Sequence, residues 1–125
     1  PRDRATHPVV RRHQVTGRPA LYVNRQFTSH IVELSPGESD TLLRYLYDWS
    51  EQPTFTCRRA WSEGTVAMWD NRTTQHYVVN DFTEPRVLER VTVVGDHPEP
   101  ADGRTWPAYD PGGLSASAGA ALLRD

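Results

Sequence analysis

Lysine is absent from this 125-residue chain, and all 14 of its basic residues are arginines. The formal net charge is -2 at pH 7, with both signs mixed along the chain and no basic stripe. Binding to a nucleic-acid backbone requires clustered basic residues, so we expect no nucleic-acid partner. Arginine suits the bidentate recognition of anions. A GC-rich genome gives the same bias, and we favour that simpler explanation.

Cysteine occurs once, at position 57, which excludes an internal disulfide and a thiolate metal cluster. Because Cys57 alternates with Phe55 on a strand-like run, we expect it to be a small core residue. A reducing cytoplasm is the expected location.

Long apolar runs are also missing, since none approaches the roughly 18–20 residues of a membrane span. No signal peptide opens the sequence, and we expect no membrane partner. The first residue is Pro1 rather than methionine. We therefore expect a preceding portion, either removed by processing or disordered.

One helix is predicted over residues 36–50. Ser35 is a good N-cap, Pro36 suits the first helical position, and Glu38 completes an S-x-x-E capping box. An apolar stripe follows with helical spacing, and we expect its side chains to pack in the core. The stripe consists of Leu42, Leu46 and Trp49, widened by Leu43 and Tyr47.

The other periodic segments alternate between apolar and polar residues and predict short strands. They lie at 7–10, 20–23, 29–34, 55–61, 65–69, 75–79 and 86–94. A parallel α/β fold requires alternating helices, and only one helix is predicted here. The predicted fold class is therefore mostly β, an antiparallel sandwich or barrel. Proline, glycine, aspartate, alanine and serine dominate the C-terminus, so we expect an irregular tail over 99–125.

Two arginines share one face of the strand predicted at 86–94, namely Arg86 and Arg90. Valines occupy the opposite face, which predicts a central strand covered on both sides. A buried arginine needs an anionic partner. That partner is either an internal carboxylate, for instance Asp70 or Asp81, or a bound anion, and the pattern leaves both open.

A histidine, His76, ends a polar turn. A lone histidine near a strand end is more often a structural or surface residue than a metal ligand. Four polar residues just before it, Asp70, Asn71, Arg72 and Gln75, are suited to orienting a ring nitrogen. The residues alone therefore leave the structural and the functional interpretation open.

Several motifs follow one another in a defined order. They are H-P-V-V at 7–10, T-G-R at 16–18, L-Y-V-N at 21–24, W-D-N-R-T-T-Q-H at 69–76, and the arginine pair. Over about residues 7–98 these motifs resemble the C-terminal half of the taurine dioxygenase family of Fe(II)- and 2-oxoglutarate-dependent oxygenases. The resemblance implies a double-stranded β-helix, or jelly roll, with 1–98 as the C-terminal part of the domain and the helix as an insertion.

The resemblance also implies roles for individual residues. His76 matches the distal histidine of the 2-His-1-carboxylate iron triad. Arg86 matches the arginine that binds the far carboxylate of 2-oxoglutarate. Arg90 matches the arginine that meets the anionic head of the primary substrate close to the cosubstrate. Phe27 falls where the family places an aromatic residue near the substrate, and Trp69 is expected close to the site.

The chain departs from the family pattern in its metal ligands. The family's first two iron ligands come from an H-x-D motif ahead of the distal histidine, and no H-x-D occurs here. His97-Pro98-Glu99 has the spacing of H-x-E, but it follows His76 and opens the tail, so we do not interpret it as the missing motif. The location of the other two ligands is left open.

The implied function is hydroxylation of a small anionic substrate with Fe(II), 2-oxoglutarate and O2. Taurine or a related alkylsulfonate, with release of sulfite, is the expected substrate. An alkyl sulfate or an aryloxyalkanoate is the alternative within the family. Outside it, the chain would be a non-catalytic jelly-roll fragment or an anion-binding module. A homo-oligomer is the expected assembly.

Overall fold

The computed structural model describes residues 4–104 and 120–124. In these ranges the chain forms six short strands, one α-helix and a single 3-10 turn. The strands are β1 (Arg4–Pro8), β2 (Val10–Arg12), β3 (Pro19–Leu21), β4 (Thr28–Ile31), β5 (Glu99–Pro100) and β6 (Ala120–Arg124). The helix α1 spans Pro36–Ser50, and the 3-10 turn spans Pro53–Phe55.

The strands form two three-stranded antiparallel sheets, with the orders β1-β6-β4 and β3-β2-β5. In the second sheet Arg12 lies opposite Pro19 on one side and Glu99 on the other. The Arg12 guanidinium also forms an ion pair with the Glu99 carboxylate. The hairpin between β2 and β3 turns at Gly17, whose φ of 70° lies in the left-handed region that glycine favours.

Helix α1 has the predicted bounds, and its start is specified by local hydrogen bonds. The Ser35 backbone N–H donates to Glu38 Oε2 at 3.0 Å, which is the reciprocal bond of a capping box. The Ser35 carbonyl accepts from the Ser39 N–H at 2.9 Å. The first bond satisfies a backbone N–H that a helix start leaves unpaired, and the second is the first intrahelical bond.

The core lies between α1 and the strand ends and consists of Val23, Ile31, Leu43 and Tyr47. The helix therefore faces inward along Ser39, Leu43 and Tyr47, not along the predicted centre of the stripe. Leu42 and Trp49 are 40% and 49% exposed. Ser39 takes an inward position because its hydroxyl accepts a hydrogen bond from the Ile31 N–H at 2.8 Å.

The prediction of strands is wrong for four segments. The structure has no strand at 55–61, 65–69, 75–79 or 86–94, which all lie in the described ranges. Alternation predicts which side chains share a face, but a strand also needs a neighbour to pair with. None of the described residues pairs with these segments, and Cys57 is exposed rather than buried. The expected central strand at 86–94 has uncovered valines, with Val87 at 90% and Val91 at 92% exposure.

The C-terminal region contains regular structure where none was expected. Strand β5 adds to β2, and strand β6 pairs with β1 along its whole length and with β4 on its other edge. The prediction of an irregular tail is therefore wrong at these two strands, because strand pairing there is long-range. The domain boundary at residue 98 stays a prediction.

None of the helices in the described ranges has the length and apolar character that crossing a membrane requires.

The core composition predicts a contrast between neighbouring leucines. Leu43→Ala is expected to lower the free energy of unfolding by about 2–5 kcal/mol, because it leaves a cavity in the core. Leu42→Ala, on the exposed side of the same helix, is expected to change it by about 0.5 kcal/mol. Urea denaturation of both variants measures the difference. An equal loss of unfolding free energy in the two variants would contradict the observed helix orientation.

Candidate functional site

The candidate site is built on the turn that joins Trp69 to His76. The Asp70 carbonyl accepts hydrogen bonds from the N–H groups of Thr73 at 3.2 Å and Thr74 at 3.0 Å. Asp70 Oδ1 also accepts from the Arg72 N–H at 2.9 Å. Aspartate is suited to this position because its short side chain bonds the backbone two residues ahead. Local bonds therefore fix the shape of the turn.

The Asp70 carboxylate is the charged centre of the turn. Arg72 donates to it through Nε at 2.8 Å and through a terminal nitrogen at 2.7 Å, and His13 Nε2 lies 2.9 Å from Oδ2. The Arg72 side chain, followed by His13, holds the pKa of the Asp70 carboxyl well below its ordinary value. Asp70 is therefore an anion with its acceptor positions occupied from within the protein.

His13 directly follows strand β2 and is buried. Its Nδ1 accepts the backbone N–H groups of Val15 at 3.2 Å and Thr16 at 3.1 Å, which cap the hairpin turn. Since Nδ1 accepts, the assigned tautomer carries its proton on Nε2 and donates to Asp70. The imidazole thus joins the N-terminal hairpin to the turn at 70–75.

A second contact anchors the other end of the turn. Gln75 Nε2 donates to the Val23 carbonyl at 2.7 Å. Val23 is the most deeply buried core residue, at 1% exposure. The residue immediately before His76 is therefore hydrogen-bonded to the packed core.

The His76 side chain is exposed, and its ring packs on the Trp69 indole with 4.7 Å between centroids and 50° between planes. The indole Nε1–H donates to Asn71 Oδ1 at 2.8 Å. The polar residues before His76 are suited to orienting its imidazole. In the described ranges, however, Asp70, Asn71 and Gln75 bond to other groups and hold the turn.

The two predicted anion-binding arginines are both exposed. The Arg86 guanidinium lies over the Phe82 ring, 4.2 Å from its centroid, in a cation–π contact. Among residues 4–104 and 120–124, neither Arg86 nor Arg90 forms an ion pair. Asp70, one of the carboxylates considered as an internal partner, bonds His13 and Arg72 instead.

Phe27 lies in the turn after Val23, 40% exposed, with its N–H donating to Asn24 Oδ1 at 2.9 Å. The groups of the H-x-E sequence have structural partners. Glu99 pairs with Arg12, and the His97 carbonyl accepts from Gln14 Nε2 at 2.7 Å.

A non-haem iron site takes three protein ligands. Within the part of the chain that the structure describes, no group of three histidine, cysteine, aspartate or glutamate side chains is placed to hold a metal ion. The His76 ring makes no hydrogen bond to the described residues, so its nitrogens fit the role of one ligand. The described residues do not supply the remaining two.

His13 is a buried residue of the candidate site that the sequence alone did not identify. Its role depends on a contact with Asp70, 57 positions further along the chain. The local signal is a histidine directly before the glycine-containing turn, but nothing in the sequence indicates which acceptor its ring meets.

Comparison with known proteins finds a family match over residues 1–92, to the family described as taurine catabolism dioxygenase TauD, TfdA family. The chain is 41% identical to an alpha-ketoglutarate-dependent sulfate ester dioxygenase of Pseudomonas putida, over 78% of this chain and 33% of that protein. It is 39% identical to an alkylsulfatase of Acinetobacter baylyi, over 88% of this chain and 35% of that protein. It is 42% identical to an alpha-ketoglutarate-dependent sulfonate dioxygenase of Saccharomyces cerevisiae, over 74% of this chain and 23% of that protein. The chain thus spans about a third or less of these relatives. No solved structure matches it.

The environment of Asp70 predicts a dependence of stability on pH. Its pKa in the folded protein lies below the ordinary 3.8, so its ionised form stabilises the fold above that value. This contribution is lost as the pH falls toward the lowered pKa. Asp70→Asn is therefore expected to be less stable than the unmodified protein at neutral pH, with the gap narrowing in acid.

Urea denaturation at about pH 7 and about pH 3 measures that gap. Asp81→Asn, at an exposed position on the same segment, is the matched control, because it removes a carboxylate that has no ion pair within the described residues. A gap for Asp70→Asn that widens in acid would contradict the assigned ion pair.

Proposed function

Because the chain belongs to the taurine catabolism dioxygenase TauD, TfdA family, we propose that it forms part of an Fe(II)- and 2-oxoglutarate-dependent dioxygenase that oxidises a small anionic substrate. The observation that supports this proposal most strongly is the family match over residues 1–92, which runs through His76, Arg86 and Arg90. Iron bound with 2-oxoglutarate supplies the oxidising chemistry in this class, and O2 is the co-reactant.

His76 is proposed as one iron ligand. The turn before it is fixed at both ends, by Asp70 on His13 and by Gln75 on the Val23 carbonyl. Its imidazole is supported by the Trp69 ring and accessible from solvent. A ligand held on a fixed turn loses little conformational freedom when it binds a metal.

Arg86 is proposed to bind the far carboxylate of 2-oxoglutarate, and Arg90 the anionic head of the primary substrate. A guanidinium presents paired donors to carboxylate, sulfonate or sulfate oxygens. Neither arginine is neutralised by a carboxylate of the described residues, which leaves both available for exogenous anions. Phe27 is proposed to contact the substrate.

The proposed substrate class is an alkyl sulfonate, such as taurine, or an alkyl sulfate. The relatives support this class because their names specify sulfate esters, an alkylsulfatase and sulfonates. Oxygenation at the carbon next to the sulfonate or sulfate group would release sulfite or sulfate. The proposed fold of the whole domain is a jelly roll. The expected homo-oligomer and cytoplasmic location stay predictions.

Succinate formation tests the proposed activity. Purified protein supplied with ferrous iron, 2-oxoglutarate and a panel of alkyl sulfonates and alkyl sulfates is expected to form succinate and to stop when a chelator is added. His76→Ala is expected to abolish this activity, while His30→Ala, at an exposed position on β4, should retain it. No iron-dependent succinate with any substrate would support the non-catalytic alternative.

Substituting the arginines separates their proposed roles. Arg86→Ala is expected to raise the KM for 2-oxoglutarate about tenfold or more, since charge-assisted hydrogen bonds contribute about 1.5–3 kcal/mol. Arg90→Ala is expected to raise mainly the KM for the sulfonate or sulfate. Steady-state kinetics with each substrate varied in turn measures both. An unchanged 2-oxoglutarate KM in Arg86→Ala would contradict the assignment of that arginine.

A further inference from the structure

We infer that His13 is a positioning residue for His76, acting through Asp70 on the turn between Trp69 and His76. The inference rests on the proposed function only where it treats His76 as a metal ligand. The contacts that lead from His13 to His76 are all present in the structure.

The first step is that the His13 ring has a fixed orientation. The ring is buried, and Nδ1 accepts two backbone N–H groups of its own hairpin turn. Rotating the ring would break both of these hydrogen bonds and would turn Nε2 away from Asp70. The opposite nitrogen, Nε2, is therefore directed at Asp70.

The second step is that Asp70 transmits this orientation to the turn. Its carboxylate accepts from His13, while its carbonyl and Oδ1 organise the N–H groups of Arg72, Thr73 and Thr74. Displacing the carboxylate would also displace the backbone that it organises. The His13 contact thus determines where the turn begins relative to the N-terminal hairpin.

The third step concerns the two rings that flank the turn. Trp69 directly precedes Asp70, and His76 directly follows Gln75, yet their centroids lie 4.7 Å apart. This tilted ring contact requires the two ends of the turn to stay close. The bonds of Asp70 to His13 and of Gln75 to the Val23 carbonyl attach those ends to one folded unit.

His13 therefore differs from a residue that only stabilises the fold. His13 is a buried polar residue whose ring bonds to Asp70 on the turn, outside the apolar core. A general loss of stability reduces the number of folded molecules but leaves His76 in place in those that are folded. Loss of positioning alters the environment of His76 within the folded molecules themselves.

The test compares two substitutions at position 13. Each retains one of the two hydrogen-bonding groups of the imidazole, either the acceptor at Nδ1 or the donor at Nε2. Asparagine at position 13 retains an acceptor where Nδ1 lies and lacks a donor that reaches Asp70. Glutamine places an amide N–H where Nε2 lies. His30→Asn is the matched control, since His30 is an exposed histidine on β4 without a bond to the turn.

The readout is the ring-current shift that the Trp69 indole imposes on the His76 ring protons, measured by NMR in metal-free protein. We expect His13→Asn to lose this shift and His13→Gln and His30→Asn to retain it. Retention of the shift in His13→Asn, or its loss in both His13 variants, would overturn the inference. If His13→Asn does not fold, Asp70→Ala removes the same bond and must lose the shift.

A cobalt(II) titration of the same samples separates this inference from the proposed function. Cobalt(II) is expected to broaden the His76 resonances of the unmodified protein, and His13→Asn to weaken this binding about 10–100-fold, the usual effect of removing an outer-shell partner. If the unmodified protein shows no effect of cobalt(II) at His76, the assignment of His76 as a metal ligand in the proposed function fails. The ring-current comparison still decides whether His13 positions the ring.

Discussion

The hydrogen bond between the His13 imidazole and the Asp70 carboxylate is the contact on which the candidate site depends. It joins positions 57 residues apart and connects the turn that ends at His76 to the N-terminal hairpin. A bond to a charged acceptor is stronger than a neutral one. It is also sheltered, because the His13 side chain is only 9% exposed. With the bond from Gln75 to the Val23 carbonyl, it attaches an otherwise irregular segment to the packed core.

The segment beyond His76 shows what happens without such contacts. From residue 82 to 98 no backbone–backbone hydrogen bond joins described residues, and Val91 and Val93 are 92% and 88% exposed. Apolar side chains arranged on the faces of an extended segment normally pack under another layer of structure. The curated relatives are about three times as long as the region they share with this chain. The proposed jelly roll would account for these exposed side chains, because further strands of that fold would cover them.

Local signals in the sequence predicted local structure well. The helix at 36–50 has its predicted bounds. Its start was predictable because Pro36 and the capping box around Ser35 specify it within a few residues. Its inward face was misplaced by one position, because an apolar stripe with several members does not show which of them meets the core. The strand at 86–94 failed for a different reason, since alternation cannot supply a pairing partner. The role of His13 was not predictable, because it depends on a long-range contact, whereas the family motif identified His76, Arg86 and Arg90 as candidates.

Amide hydrogen exchange along the chain tests most directly whether the turn before His76 is fixed on the N-terminal hairpin. The structure predicts slowed exchange at Arg72, Thr73 and Thr74, whose N–H groups bond to Asp70, and fast exchange from residue 82 to 98. It also predicts that the slowed exchange at these three amides is lost in His13→Asn. Uniformly fast exchange from residue 70 to 98 in the unmodified protein would contradict the account, because it would mean that the turn is not held in place.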